Sequence, residues 1–440
     1  MNDGFDVIAG SVSVRNGRIA SVGQEPAEAG PRDAGAHGLG PHDVVIDAGG
    51  GYLLPGFVQT HIHLCQTLFR GYADDLRLMD WLRTRIWPME AAHTPVSLTA
   101  AAQLACLELL RSGTTAILTM ETVHDTDAIF EAVTDAGIRA TIGKCMMDAA
   151  PPEAPPRLRE ETRRSLDESL ALFRRWHDTS GGRIRVAFAP RFAVSCSRDL
   201  LEAVASLSAR DAALVHTHAS EQREEVDIVR AETGASNIEY LHLVGLASPR
   251  LCAAHCVWVE PGEQELLAAY DVKVAHCPGS NLKLGSGIAP VPEMLERGIC
   301  VSLGSDGAAC NNHLDMFGEM RLAATLQSMR RGPGALPARR AVWMATRNGA
   351  KALGLENEIG SIETGKRADL ILIDRSRPHM ATAVDPFAAI VYAAGPADVT
   401  MTMVDGELLM SQGRATRLDE VRIVSNARRE ATALALRAGL

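Results

Sequence analysis

Between about residues 55 and 360 the chain repeats one pattern: a short, almost wholly apolar run, then a longer stretch with apolar residues at helical spacing. Short apolar runs bounded by turn residues read as strands buried on both faces, and their alternation with helices predicts a parallel sheet. Eight runs fit this description: 56–60, 114–118, 139–143, 184–189, 213–216, 251–254, 272–275 and 299–304. Helical periodicity lies between them, for example over 97–112, 125–136 and 162–176. Eight such units over roughly 300 residues suit a (β/α)8 barrel better than an open doubly wound sheet. No Gly-x-Gly-x-x-Gly stands at a strand-to-helix turn, which lowers the nucleotide-fold alternative further.

The amino-terminal residues follow a different rhythm. Residues 5–14 and 18–22 flank Asn16-Gly17, the signature of a hairpin. A Gly- and Ala-rich stretch over 25–42 predicts irregular structure, and 44–47 resumes strand character before Gly49-Gly50-Gly51.

In a barrel, chemistry gathers at the carboxyl ends of the strands. The first strand runs into His61-Ile62-His63, and residues i and i+2 of a strand share a face, so both imidazoles aim into one space. Taken alone, satisfied or surface histidines explain the pair equally well. The fifth strand, however, ends Val215-His216-Thr217-His218-Ala219-Ser220-Glu221, the sixth ends in His255-Cys256, and the eighth in Ser305-Asp306. Strands one, five, six and eight thus all carry imidazoles or carboxylates at their ends. Three histidines and an aspartate make a zinc or iron set with a position left for water. By position either His216 or His218 could serve as the fifth-strand ligand.

Composition narrows the partners. The chain has 440 residues, 46% of them hydrophobic, with no run near the ~18 apolar residues of a membrane span. The first residues lack the order of a secretory signal, which predicts a cytoplasmic protein. A net charge of -10 with only 4% aromatic residues argues against nucleic acid and for a small-molecule partner. Nine cysteines, none in a Cys-x-x-Cys pair, predict buried small hydrophobes and no disulfide framework.

His61-Ile62-His63 after Pro55-Gly56, His218 with Glu221, His255 and Asp306 together resemble the metal motifs of the amidohydrolase superfamily, over nearly the whole chain. Residues 68–76 (LFRGYADDL), 280–284 (SNLKL) and 306–312 (DGAACNN) are most similar to its aminohydrolases acting on S-adenosylhomocysteine, 5'-methylthioadenosine and 5'-deoxyadenosine. The resemblance implies a small β-sandwich built from both chain ends. Residues 1–54 would supply its first part, 55–360 the barrel, and 361–440 the rest plus a terminal helix. The amino-terminal hairpin is shorter than is usual in that family.

The resemblance also implies a ligand set of His61, His63, His218 and Asp306 for one divalent ion, zinc or alternatively iron. Binuclear members bridge two ions with a carboxylated lysine or an acid after strand four, where this chain has Arg191, a permanent cation. Asp306 would also accept a proton from the attacking water, and His255 would polarise that water. Glu221 would protonate a ring nitrogen and relay a proton to the leaving amine; its plain alternative is a helix-start carboxylate. His276 and His216 would support the site, and the remaining histidines take surface or capping roles.

For the substrate, Trp81 and Glu90 match positions that contact ribose in the nucleoside deaminases. Arg157 matches a basic residue of the homocysteine site, and Lys144 replaces its companion arginine. Gln66 and Arg191 instead resemble guanine deaminase, and the nucleoside family usually has histidine in place of Arg191 and serine in place of Cys310. The implied activity is hydrolytic deamination of an adenosine-type nucleoside to the inosine analogue and ammonia. Alternatives are an aminohydrolase for guanine, a pterin or an s-triazine, and, more remotely, a non-catalytic scaffold. A heterocyclic amine is the implied partner. Relatives are often homo-oligomers, but the sequence marks no interface.

Overall fold

The structure, a computed structural model, describes residues 4–24 and 44–440. All eight apolar runs are strands of one parallel sheet: Phe57–Ile62, Thr114–Met120, Arg139–Met146, Ile184–Pro190, Val215–Ala219, Leu251–His255, Lys273–His276 and Val301–Leu303. Each pairs with the next in chain order. The last strand meets the first through Thr60 Oγ1, which contacts Ser302 Oγ at 2.7 Å and donates to the Leu303 carbonyl at 3.1 Å. Gly304 makes this closure possible, because a Cβ there would stand 2.6 Å from the His61 carbonyl oxygen. The Asp306 amide then donates to that same carbonyl at 3.1 Å, so the closure itself brings the first and eighth strand ends together.

Most strands run within a few residues of the apolar pattern, and two start two residues later than it for local reasons. Ala213 still belongs to the preceding turn, its carbonyl held by Ser208 Oγ at 2.7 Å, so the fifth strand starts at Val215. Ile299 donates to the Met294 carbonyl at 3.0 Å and closes a helix, which shortens the eighth strand to three residues. Inside the barrel, Val58, Ala116, Leu118, Ala187, Cys252, Ala254 and Ala275 pack with Leu353, Leu355 and Ile359. Small residues there leave the width for the histidines above them. All nine cysteines are buried and unpaired with one another.

A second unit is built from both chain ends. Gly10–Arg15 and Arg18–Gln24 form the expected hairpin, with Asn16 and Gly17 at φ of 52° and 77°, the turn that Asn-Gly adopts readily. A five-stranded antiparallel sheet runs in the order Arg414–Ala415, Glu407–Ser411, Val399–Val404, Leu370–Ile373, Tyr52–Pro55. Ile19, Leu370, Leu372, Met401 and Met403 share one buried cluster, with Val12, Val14 and Val22 against it, so the two sheets face each other as a sandwich. The expected strand over 44–47 is not formed. Val44 is 82% exposed and pairs with no strand among the described residues; pairing begins at Tyr52, opposite Ile373. The irregular stretch expected over 25–42 lies outside the described residues.

The sandwich is tied to the barrel by a buried ion cluster. Arg139, at the start of the third barrel strand, donates to both oxygens of Asp369 at 2.8 and 3.0 Å and to Asp405 at 2.7 Å. Arg139 and Asp369 are each only 2–3% exposed. Asp369→Ala takes two of the three hydrogen bonds from a buried guanidinium and leaves it Asp405 alone, and we expect a loss of about 3 kcal/mol in denaturant unfolding, against a much smaller loss for Arg139→Met combined with Asp369→Leu. The terminal helix Glu420–Ala438 packs Ala427 and Leu434 into a cluster that contains Trp81 and Trp87, and so backs the segment that borders the cavity. No helix among the described residues is long and apolar enough to cross a membrane.

Candidate active site

His61 Nδ1 lies 2.7 Å from His216 Nε2, and His216 Nδ1 lies 3.0 Å from the Cys252 carbonyl. A carbonyl only accepts, so His216 carries its proton on Nδ1 and its Nε2 is an acceptor. His61 must then donate through Nδ1, which leaves a bare lone pair on Nε2. The same logic fixes two more rings. His63 Nδ1 donates to the Met120 carbonyl at 2.7 Å, and His218 Nδ1 donates to the Arg191 carbonyl at 2.7 Å. Burial pushes the His61 imidazole down to about 4 and the His218 imidazole well below its ordinary value, which favours the neutral form a ligand needs.

These lone pairs converge on one point. His61 Nε2 and His63 Nε2 each stand 3.2 Å from Asp306 Oδ1, and His63 Nε2 stands 3.2 Å from His218 Nε2. The ligand atoms of His61, His63, His218 and Asp306 all lie within 4.8 Å of one another, and His61 Nε2 is buried without a partner. Four acceptors facing one another are mutually repulsive unless a cation sits among them, so the donor set fits a divalent metal. The carboxylate is aimed by two donors, Ser280 Oγ to Oδ2 at 2.7 Å and the Gly307 amide to Oδ1 at 2.7 Å.

Around this point stand the other strand-end groups. His255 holds Nδ1 against Asn281 Oδ1 at 2.9 Å and turns Nε2 toward Glu221 at 3.7 Å and Asp306 at 3.8 Å. Burial raises the Glu221 carboxyl to about 7, against the pull of His255, and Ser286 Oγ donates to it at 3.4 Å. Four non-glycine residues at or just past the strand ends adopt positive φ: Ser220 at 54°, His255 at 71°, Cys256 at 46° and Asp306 at 62°. Backbone of this kind costs of order 1 kcal/mol per residue and concentrates where side chains must be aimed.

The cavity is lined by His63, Gln66, Trp81, Arg191, His218, Glu221, Glu225 and Asp306, with Leu78, Leu82, Phe192 and Leu284 as its apolar wall. Glu90 is not on that wall; its carboxylate binds Arg191 and Gln66. Cys310 is buried, with Sγ against the Gly307 carbonyl at 3.1 Å. Lys144 and Arg157 stand off the lining. Lys144 is buried in an ion pair with Glu160, and Arg157, half-exposed, holds the Ala91 and His93 carbonyls and Asp125. His276 is buried with neither ring nitrogen partnered among the described residues.

Glu225 and Glu121 escaped sequence reasoning. Glu225 accepts from the Ser220 and Glu221 amides at 3.2 and 2.7 Å, which fixes the backbone that bears Glu221. Its signal was the i+4 spacing from Glu221. Glu121 accepts from the Leu64 and Cys65 amides at 3.1 and 2.9 Å and pins the turn after His63; a lone acid beyond an apolar run gave no hint of that.

Comparison with known proteins decides the family: the amidohydrolase family model matches residues 52–409. The chain belongs to the amidohydrolase family. Among amidohydrolases it is 40% identical to a 5-methylthioadenosine/S-adenosylhomocysteine deaminase of Pelotomaculum thermopropionicum, over 96% of this chain and 94% of that one. It is 39% identical to a 5'-deoxyadenosine deaminase of Methanosarcina mazei, over 99% and 96%. A solved adenosine deaminase from Xanthomonas campestris with bound zinc superposes with a TM-score of 0.88 at 33% identity, covering 97% of this chain and 93% of that one. The amidohydrolase described here is thus a metal-dependent enzyme with a (β/α)8 barrel.

Proposed function

We propose that this amidohydrolase deaminates an adenosine-type nucleoside, such as 5'-deoxyadenosine, 5'-methylthioadenosine, S-adenosylhomocysteine or adenosine, to the inosine analogue and ammonia. One observation carries the reading: a cavity in which three imidazoles and Asp306 converge beside a carboxyl poised near 7, in a chain similar throughout its length to nucleoside deaminases. His61, His63, His218 and Asp306 would hold a single divalent ion, and zinc is favoured by the zinc-bound neighbour. When bound, such an ion acts as a Lewis acid and lowers the pKa of a coordinated water toward ~7.

The chain's own groups divide the remaining work. Asp306 takes the proton of the attacking water through Oδ2, the oxygen turned toward His255. His255, its Nδ1 committed to Asn281, offers Nε2 as an acceptor that orients this water. Glu221 gives its proton to the ring nitrogen beside the attacked carbon. As the adduct's C–O bond becomes a carbonyl and the C–N bond breaks, the adduct's hydroxyl proton passes through Glu221 to the amine, which leaves as ammonia, and the proton held by Asp306 returns Glu221 to its acid form.

A second reading, deamination of a free base such as guanine, draws on Gln66 and Arg191, which line the cavity and match guanine deaminase positions. Ammonia release measured side by side on 5'-deoxyadenosine, 5'-methylthioadenosine, S-adenosylhomocysteine, adenosine and guanine separates the two. We expect turnover of at least one nucleoside well above guanine; turnover of guanine alone would overturn the nucleoside reading.

A further inference from the structure

We infer that Glu319 is a positioning residue: from behind the strand ends it holds the two loop segments that aim Asp306 and His255. The inference rests on the deaminase reading, which gives those two groups their work, and deepens it. Glu319 stands in the first turn of the helix Met316–Arg331, is 2% exposed and does not line the cavity. Its Oε2 accepts from the Gly279 amide at 3.0 Å, and its Oε1 accepts from Asn311 Nδ2 at 2.8 Å. Each of these partners leads to the site. Gly279 is followed by Ser280, whose Oγ donates to Asp306 Oδ2 at 2.7 Å, and by Asn281, whose Oδ1 lies 2.9 Å from His255 Nδ1. Asn311 Nδ2 also donates at 2.7 Å to the carbonyl of Ser305, the residue before Asp306 and its backbone at φ 62°.

The packing around the carboxyl leaves little freedom. A Cβ on Gly279 would stand 2.5 Å from Glu319 Oε1 and 2.7 Å from Asn311 Nδ2, so glycine is what lets this turn reach the acid. The Asn311 amide cannot flip, because its NH2 serves two acceptors and its own oxygen would then face the Ser305 carbonyl. Burial pushes the Glu319 carboxyl up to about 8, and in either charge state both of its oxygens can accept from these donors. One buried carboxyl thus ties the helix Pro278–Lys283 to the loop that carries Asp306.

Glu319→Gln is the variant that tests this. An amide offers one oxygen and one NH2, so the variant keeps the shape but sets donor against donor at either Gly279 or Asn311. We expect kcat to fall about 10–100-fold with KM within about threefold of native, since the cavity wall is untouched. Cobalt(II)-exchanged protein gives a reading that needs no substrate: a misaimed Asp306 alters the coordination, so the visible absorption bands shift. Asp315→Ala removes the helix cap given to the Gly318 amide at 2.9 Å and is the control for lost stability alone, with native kcat and bands expected. Native kcat or native bands in Glu319→Gln, a rise in KM alone, or the same losses in Asp315→Ala overturns the inference. Should Glu319→Gln fail to fold, Asn311→Ala cuts the link to Ser305 and is expected to lower kcat about 10-fold with shifted bands; native values there overturn the inference. If none of the nucleosides is turned over, the functional reading fails, and the cobalt bands still decide the positioning role.

Discussion

Glu221→Gln is expected to lower kcat/KM by about 10²–10⁴-fold while metal content stays at the native level. The substitution keeps the shape of the side chain and removes the proton that the proposed role requires it to give. Glu221 is buried against His255 and Ser286 and is not among the four converging ligand atoms, so the ion has no reason to leave. The pH profile carries the same information. Burial holds the carboxyl protonated up to about 7, so the acid form that serves the ring nitrogen is present below that pH and is lost as pH rises through it. The native enzyme should therefore lose kcat/KM on the alkaline side with the slope of one proton, and the Gln variant should show no such limb. Elemental analysis beside the kinetics checks both parts; unchanged turnover in Glu221→Gln would refute the assigned role.

His61→Ala is expected to abolish both metal binding and turnover, a loss of roughly 10³-fold or more, since several kcal/mol of charge stabilisation depend on the ion. Removing one imidazole takes away one of three Nε2 lone pairs and leaves His216 without the donor it accepts from. His216→Ala is the informative companion. It spares all four ligands but frees the His61 ring to rotate, and a drop of about 10–100-fold in metal affinity is expected. Mass-spectrometric metal counting on the purified protein, followed by chelation and readdition of zinc or iron, checks the ligand assignment and the metal's identity together. Native protein prepared metal-replete and still metal-free would defeat the enzyme reading.

Much of the barrel was legible because its signal is local. A strand buried on both faces needs an apolar run, and all eight such runs became strands. The 44–47 stretch has the right residue types, but a strand also needs a neighbour, and the chain turns at Ala48 to Gly51 before it finds one. At the site, His61 and His63 could be read as a pair from spacing alone, and His255 and Asp306 from their place after apolar runs. The choice between His216 and His218 could not be made from spacing. In the fold the His216 ring lies against His61 and a carbonyl with both nitrogens engaged, while His218 stands among the converging ligand atoms.

The sequence by itself determined which side chains stand at the strand ends, because period-two alternation and the parallel βα repeat are written in neighbouring residues. Only the tertiary structure decided what those side chains are to one another. His216 fixes the tautomer of His61 across 155 positions of sequence, and Glu90 meets Arg191 across 101. Hydrogen bonds are short and directional, and nothing in local sequence says which distant strand end or helix the closed barrel will bring within 3 Å.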